Sequence, residues 1–136
     1  MRIARSWRQQ PSNLRLDGAL CRTCGAIVFP RRARCPSCGG GDLEGHRLGG
    51  KGEVCAATTV YEAPAGFADQ VPYVAALVRL EEGPVIAAML TDVAPDEVAP
   101  GTPVEMVTRR IRAHGSDGPI EYGYKFSPAP EARRDR

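Results

Sequence analysis

Four cysteines stand within eighteen positions of the segment CRTCGAIVFPRRARCPSCG, residues 21–39. Cys21 and Cys24 form one Cys-x2-Cys pair. Cys35 and Cys38 form a second, with ten residues between the pairs. A thiolate pair at this spacing wraps a tight turn around one side of a tetrahedral metal, and two such turns complete a four-sulfur shell. Glycine follows each pair directly, at Gly25 and Gly39. It lets the backbone turn its amides toward sulfur without a Cβ clash. The chemistry suits Zn2+ with Zn–S distances of about 2.3 Å. Iron bound by four thiolates is the chemical alternative, and a redox pair or a site that has lost its metal are the others. A closed shell of four cysteines has no position for a reactive water, so the expected Zn2+ is structural, one per chain. The segment is too short to bury much apolar surface, and metal binding would supply most of its folding free energy.

No other constellation carries a comparable signal. Cys55 stands alone in a strand-like run and reads as a small apolar residue. His46 and His114 belong to no metal or base motif and read as surface residues. Asp96 and Glu97 could pair as acid and base, but a solvated helical turn accounts for them. Gly39-Gly40-Gly41 lacks the Lys-Ser/Thr of a phosphate loop, and neither a Gly-x-Ser-x-Gly elbow nor a dinucleotide fingerprint is present. The residues alone point away from an independent enzyme.

The elements that must position these cysteines are short. The chain has 136 residues, 25% charged and 43% hydrophobic, which is ordinary for a globular protein of one or two small domains. No apolar run approaches the ~20 residues of a membrane span. The basic start MRIARSWRQQ has no apolar stretch behind it, so a secretory signal is not expected. A reducing cytoplasm follows, where paired cysteines hold metal more often than disulfides. Charge is uneven. Residues 1–50 carry nine Lys or Arg against three Asp or Glu, and residues 51–136 carry nine against thirteen. The basic front half could meet nucleic acid, a phosphorylated ligand or an acidic protein, or simply be solvated arginine.

Four zones are expected: an N-terminal helical arm over 1–18, a metal ribbon over 19–48, a strand-rich domain over 49–127 and a loose tail over 128–136. In the arm, Trp7 and Leu14 are candidate anchors and Pro11 breaks any long helix. Five strand-like runs follow, at 52–62, 71–80, 84–93, 103–112 and 119–126, with room for one helical turn between the third and fourth. In the last run Ile120, Tyr122, Tyr124 and Phe126 share one face by the two-residue period, and Glu121, Gly123 and Lys125 the other. Five strands in under 80 residues suggest a small barrel, of which an OB-like barrel is one solution. The fold class is therefore mainly β.

Taken together, these residues resemble the zinc-ribbon/OB-fold family of acyl-CoA-associated proteins, the small partners of thiolases and related condensing enzymes. The resemblance covers about residues 5 to 128. SWRQQPSNLRLDG resembles the family's helical arm, and CRTCGAIVFPRRARCPSCG its rubredoxin-like ribbon, including the step Phe29-Pro30-Arg31. GKGEVCAATTVY resembles the first strand of a five-stranded OB-fold barrel. EAPAGFADQVPYVAALVRLEEGPVIAAML resembles its Pro-Gly-Phe loop and central strands, and APGTPVEMV and YGYKFSP its closing strands. The long arm and this ending are most similar to members that accompany archaeal-type acetoacetyl-CoA thiolases. Some ribbons of the family have lost their cysteines, whereas this one keeps all four.

The resemblance implies a non-catalytic subunit in a hetero-oligomer. The thiolase-fold partner supplies the catalytic cysteine and histidines, and the small subunit docks and helps to form the acyl-CoA channel. It also implies a task for the basic half, because arginine pairs with phosphate oxygens such as those of coenzyme A. Arg31 and Arg32, with Arg34 beside them, are candidates for that contact. Phe67, Tyr73, Tyr124 and Lys125 are candidates for the groove that would take the pantetheine arm. Ordinary barrel packing or exposed surface is the competing account of each. Two other functions stay open: a nucleic-acid-binding module, since ribbons and OB barrels both serve that role, and a free-standing thioesterase or acyltransferase.

Overall fold

The computed structural model describes residues 3–10 and 14–130. They form a six-residue helix, α1 (Ile3–Arg8), and eight strands: β1 (Asp17–Cys21), β2 (Ile27–Val28), β3 (Leu43–Arg47), β4 (Lys51–Val60), β5 (Tyr73–Leu80), β6 (Val85–Leu90), β7 (Pro103–Ala113) and β8 (Ile120–Pro128). The expected break at Pro11 lies outside the described residues, as does the tail beyond residue 130. Among the described residues no helix is long and apolar enough to cross a membrane.

β1, β2 and β3 make a small antiparallel sheet in the order β2-β1-β3. Its centre is tight. A Cβ on Gly18 would collide with the Val28 carbonyl and the Leu48 side chain, so only glycine lets the strands close there. The remaining strands close into a barrel in the order β4-β5-β6-β8-β7, the five-stranded OB arrangement.

Strand alternation explains the barrel core. In β5, Val74, Ala76, Val78 and Leu80 are buried, while Leu77 and Arg79 between them are exposed. β5 turns into β6 through Glu81–Gly83, with the Gly83 amide donating to the Leu80 carbonyl at 2.9 Å. β4 carries a bulge: its register with β5 shifts between Val54 and Ala56, which leaves Cys55 as the extra residue. Between β6 and β7, Pro95–Glu97 forms one 3-10 turn. There the Ala94 amide donates to Glu97 Oε2 at 3.3 Å, so Glu97 serves the turn, and both Asp96 and Glu97 are exposed.

Two features bear on function. First, ribbon and barrel share one apolar core. Leu16 and Leu48, which flank the ribbon sheet, are buried with Val54, Val78, Leu80, Val104 and Phe126, and Ile27 and Phe29 pack against that cluster. The Phe29 ring meets Tyr124 edge-on, with centroids 6.1 Å apart. Second, β6 and β8 run parallel and are in register at Leu90–Phe126 alone, reinforced by the Thr91 amide donating to the Phe126 carbonyl at 2.8 Å. Beyond that contact the two strands part.

Candidate functional site

The ribbon's two turns are built alike. The Cys21 amide donates to the Ala26 carbonyl at 2.8 Å, and the Gly25 amide returns to the Cys21 carbonyl at 2.8 Å. In the second turn Cys35 bonds Gly40 and Gly39 bonds Cys35, at 2.9 and 2.8 Å. Gly25 and Gly39 have φ of 76° and 74°, the left-handed region that glycine enters without strain. The glycines after each pair thus have the conformational role their positions suggest.

This geometry brings all four sulfurs within 4.8 Å of one another. The Cys21–Cys38 and Cys24–Cys35 Sγ separations are both 3.6 Å, far beyond a disulfide bond. A tetrahedron with arms of about 2.3 Å has edges of about 3.8 Å, so the cluster has the dimensions of a four-thiolate metal shell. Its acid–base chemistry fits a cation too. The Cys24 amide leads in lowering the Cys21 thiol to about 6. The Ala26 amide favours the Cys24 thiolate, but the Cys21 and Cys35 sulfurs outweigh it and push that thiol up to about 12. Without a cation the four cannot all ionise at this distance, and a divalent metal removes the conflict. The cluster could hold a metal ion.

The arginines of the ribbon tip are exposed. Arg31 lies over Gly45 of β3, and Arg34 Nη1 donates to the Gly39 carbonyl at 3.2 Å. On the barrel, the parting of β6 and β8 opens a groove of about 660 Å3. Its floor is small, with Ala75, Ala87, Ala88 and Gly123, and its walls are Tyr73, Met89, Tyr122 and Tyr124. Trp7 of α1 reaches the rim yet remains 73% exposed.

The structure therefore brings some candidate residues together and separates others. Phe67 and Tyr73 are neighbours, with ring centroids 6.4 Å apart. Tyr73 and Tyr124 line the groove. Burial raises the pKa of the Tyr124 phenol, and its ring also packs edge-on against Phe126 at 6.3 Å. Lys125 lies in an adjoining cleft with Tyr73. Arg31 and Arg32 line neither space. His46 and His114 are half-buried rather than on the surface, and His114 Nε2 sits 3.3 Å from Glu121 Oε2. Sequence reasoning missed Gln70. It bonds both Lys125 and the Ile111 carbonyl, at 2.9 and 2.6 Å, and a glutamine inside a loop gives no signal of that. The groove floor had a readable signal in outward-facing alanines at 75 and 87, where a strand would normally carry larger side chains.

A closed four-sulfur ribbon fused through a shared core to a five-stranded barrel defines a class of protein, and comparison with known chains agrees. The family described as "ChsH2, rubredoxin-like zinc ribbon domain" matches residues 10–44, and "ChsH2, C-terminal OB-fold domain" matches residues 45–109. A "DUF35 domain-containing scaffold protein" of Pyrococcus furiosus is 48% identical over 128 residues, covering 94% of this chain and 93% of the relative. The "Benzoylsuccinyl-CoA thiolase subunit BbsA" of Thauera aromatica is 30% identical over 111 residues, covering 82% and 74%. Among solved structures, the "Ltp2-ChsH2(DUF35) aldolase" superposes with a TM-score of 0.69 at 28% identity, covering 92% of this chain and 90% of that one. The chain belongs to the DUF35 family of zinc-ribbon/OB-fold scaffold proteins.

Proposed function

We propose that this chain is the non-catalytic scaffold subunit of a thiolase-type enzyme that condenses or cleaves acyl-CoA. It docks to a thiolase-fold catalytic subunit in a cytoplasmic hetero-oligomer and contributes a wall of the acyl-CoA channel. The observation that carries this reading is the likeness to a thiolase subunit and to a DUF35 chain named with an aldolase, which spans ribbon and barrel alike.

The chemistry of the surfaces supports it. Zn2+ in a shell of Cys21, Cys24, Cys35 and Cys38 has no open coordination position and acts as a staple. The apolar groove, with Tyr73, Tyr124 and the nearby Phe67, suits a pantetheine or acyl chain. Arg31 and Arg32 are exposed cations suited to the phosphates of coenzyme A. They stand outside the groove, so one CoA reaches both only by running along the surface between them or across the partner.

A nucleic-acid role finds less support in the barrel. Arg109, Arg110 and Arg112 of β7 would be its natural cationic stripe. Each instead carries a carboxylate partner, Asp92, Asp69 and Glu121, at 2.9, 2.9 and 2.7 Å. Such pairs contribute little stability at a surface, but they offset the positive potential that a phosphate backbone needs.

The Arg31→Ala/Arg32→Ala double variant tests the CoA contact. Its complex should bind CoA about tenfold more weakly at low ionic strength, and the deficit should shrink as salt screens exposed charge. Unchanged affinity at low salt would remove both residues from the CoA site. On its own the chain should turn over no acyl-CoA, and steady turnover without a partner would overturn the scaffold reading.

A further inference from the structure

Lys125 is a charged residue on the covered face of its strand. It shares that face with half-buried Glu121 and with Gly123 and Ser127, both buried, and only 8% of it is exposed. Its ammonium donates to Gln70 Oε1 at 2.9 Å, and Gln70 spends its own amide on the Ile111 carbonyl at 2.6 Å. A lysine has three N–H donors. One neutral amide oxygen accepts one of them, and the carboxylate that acts on this ammonium, Asp69, is shared with Arg110; a buried charge so weakly compensated is costly.

The surrounding carboxylates are committed elsewhere. Asp69 Oδ2 accepts from Arg110 and Asp92 Oδ2 from Arg109, each at 2.9 Å. Among these five charged groups Lys125 is the surplus cation. Burial, followed by Arg110 and Arg109 and opposed by Asp69, lowers its pKa. The same side chain lines a cleft of about 270 Å3, together with Gln70, Tyr73, Thr91, Asp92 and Val93.

We propose that Lys125, held in place by Gln70, is the receptor for a compact oxyanion, a phosphate or carboxylate group carried by a ligand. An oxyanion supplies both what the charge needs and acceptors for further donors of the ammonium, through short charge-assisted hydrogen bonds. Asp92 in the wall does not repel it strongly, because Arg109 engages that carboxylate. Tyr73 and Met89 line both this cleft and the apolar groove, so one ligand with an apolar body and an acidic end can occupy both. The receptor is a property of this chain and does not depend on a thiolase partner.

The test uses the full zinc-loaded chain. Inorganic phosphate and acetate are titrated separately against chloride at constant ionic strength, and backbone amide shifts are followed by NMR. At least one anion should shift Gln70, Thr91 and Lys125 saturably. Lys125→Met should weaken that binding by about tenfold or more, the loss expected of a charge-assisted contact, and Lys125→Arg should retain most of it. Saturation by phosphate alone assigns the ligand group as a phosphate, and saturation by acetate alone assigns it as a carboxylate. The proposal is overturned if neither anion gives saturable shifts at these amides, if the shifts fall instead on Arg31–Arg34, or if Lys125→Met binds as tightly as the wild type. The wild-type shifts decide alone should Lys125→Met fail to fold.

Discussion

Replacing Cys21 and Cys24 together by serine is expected to strip the metal, unfold the ribbon and abolish assembly with a catalytic subunit. Metal binding by such a shell is worth on the order of 10 kcal/mol. The ribbon has little to set against that loss. β2 is two residues long, and the buried apolar side chains of the small sheet and its knuckles amount to Ala19, Cys21, Val28 and Cys35. The damage should also reach the barrel, because Leu16, Leu48, Ile27 and Phe29 cover its core from the ribbon side. Uncovering apolar side chains of this size costs about 1.5–3 kcal/mol each when exposure is complete. Zinc content and amide hydrogen exchange read the result. The wild type should hold stoichiometric zinc with β1 and β3 protected, and the variant should hold none and exchange freely there. A double variant that stays folded, keeps its metal or still assembles would refute the staple.

The second large effect is expected at Phe126. Its side chain is fully buried, and it stands in register with Met106 on β7 and with Leu90 on β6. It therefore sits at the one place where the barrel closes between β6 and β8. Phe126→Ala should cost about 3–5 kcal/mol through lost burial and the cavity left behind. That is a large share of the ~5–15 kcal/mol by which such domains are stable, and thermal melting should fall by about 10 °C or more. Phe126→Leu, which keeps most of the volume, should cost about a third as much. Tyr122→Ala is the control. Tyr122 lies on the same strand face but is 55% exposed, so its removal should leave the melting temperature within a few degrees of wild type. Equal losses at 122 and 126 would mean that β8 does not close the barrel as described.

That contrast shows what could be read from the sequence and what could not. Two-residue alternation correctly set Ile120, Tyr122, Tyr124 and Phe126 on one face of β8, and the five strand-like runs match β4 to β8 closely. The cysteine pairs and their glycines were equally legible, because a knuckle is a local structure whose spacing carries its geometry. Which part of a face is covered was not legible. Phe126 is buried and Tyr122 exposed because β6 reaches one and parts from the other, a long-range fact that alternation cannot encode. Lys125 was set on the other face with Glu121 and Gly123, but that this face is the covered one, and that Lys125 bonds Gln70, fifty-five residues away, could not be read from alternation. Leu16 fell in the segment read as an arm and instead belongs to the core shared by ribbon and barrel. Cys55 stood in an expected strand, but the bulge that sets it apart exists only in pairing with β5.

The central claim is that this chain works as a scaffold for a thiolase-fold enzyme. Tagged chain purified gently from the cells that make it, with its companions identified by mass spectrometry and weighed as an intact complex, tests that claim most directly. The account predicts a stoichiometric thiolase-fold subunit whose catalytic cysteine and histidines perform the acyl-CoA chemistry. Recovery of the chain alone, or with nucleic acid in place of that subunit, would contradict it.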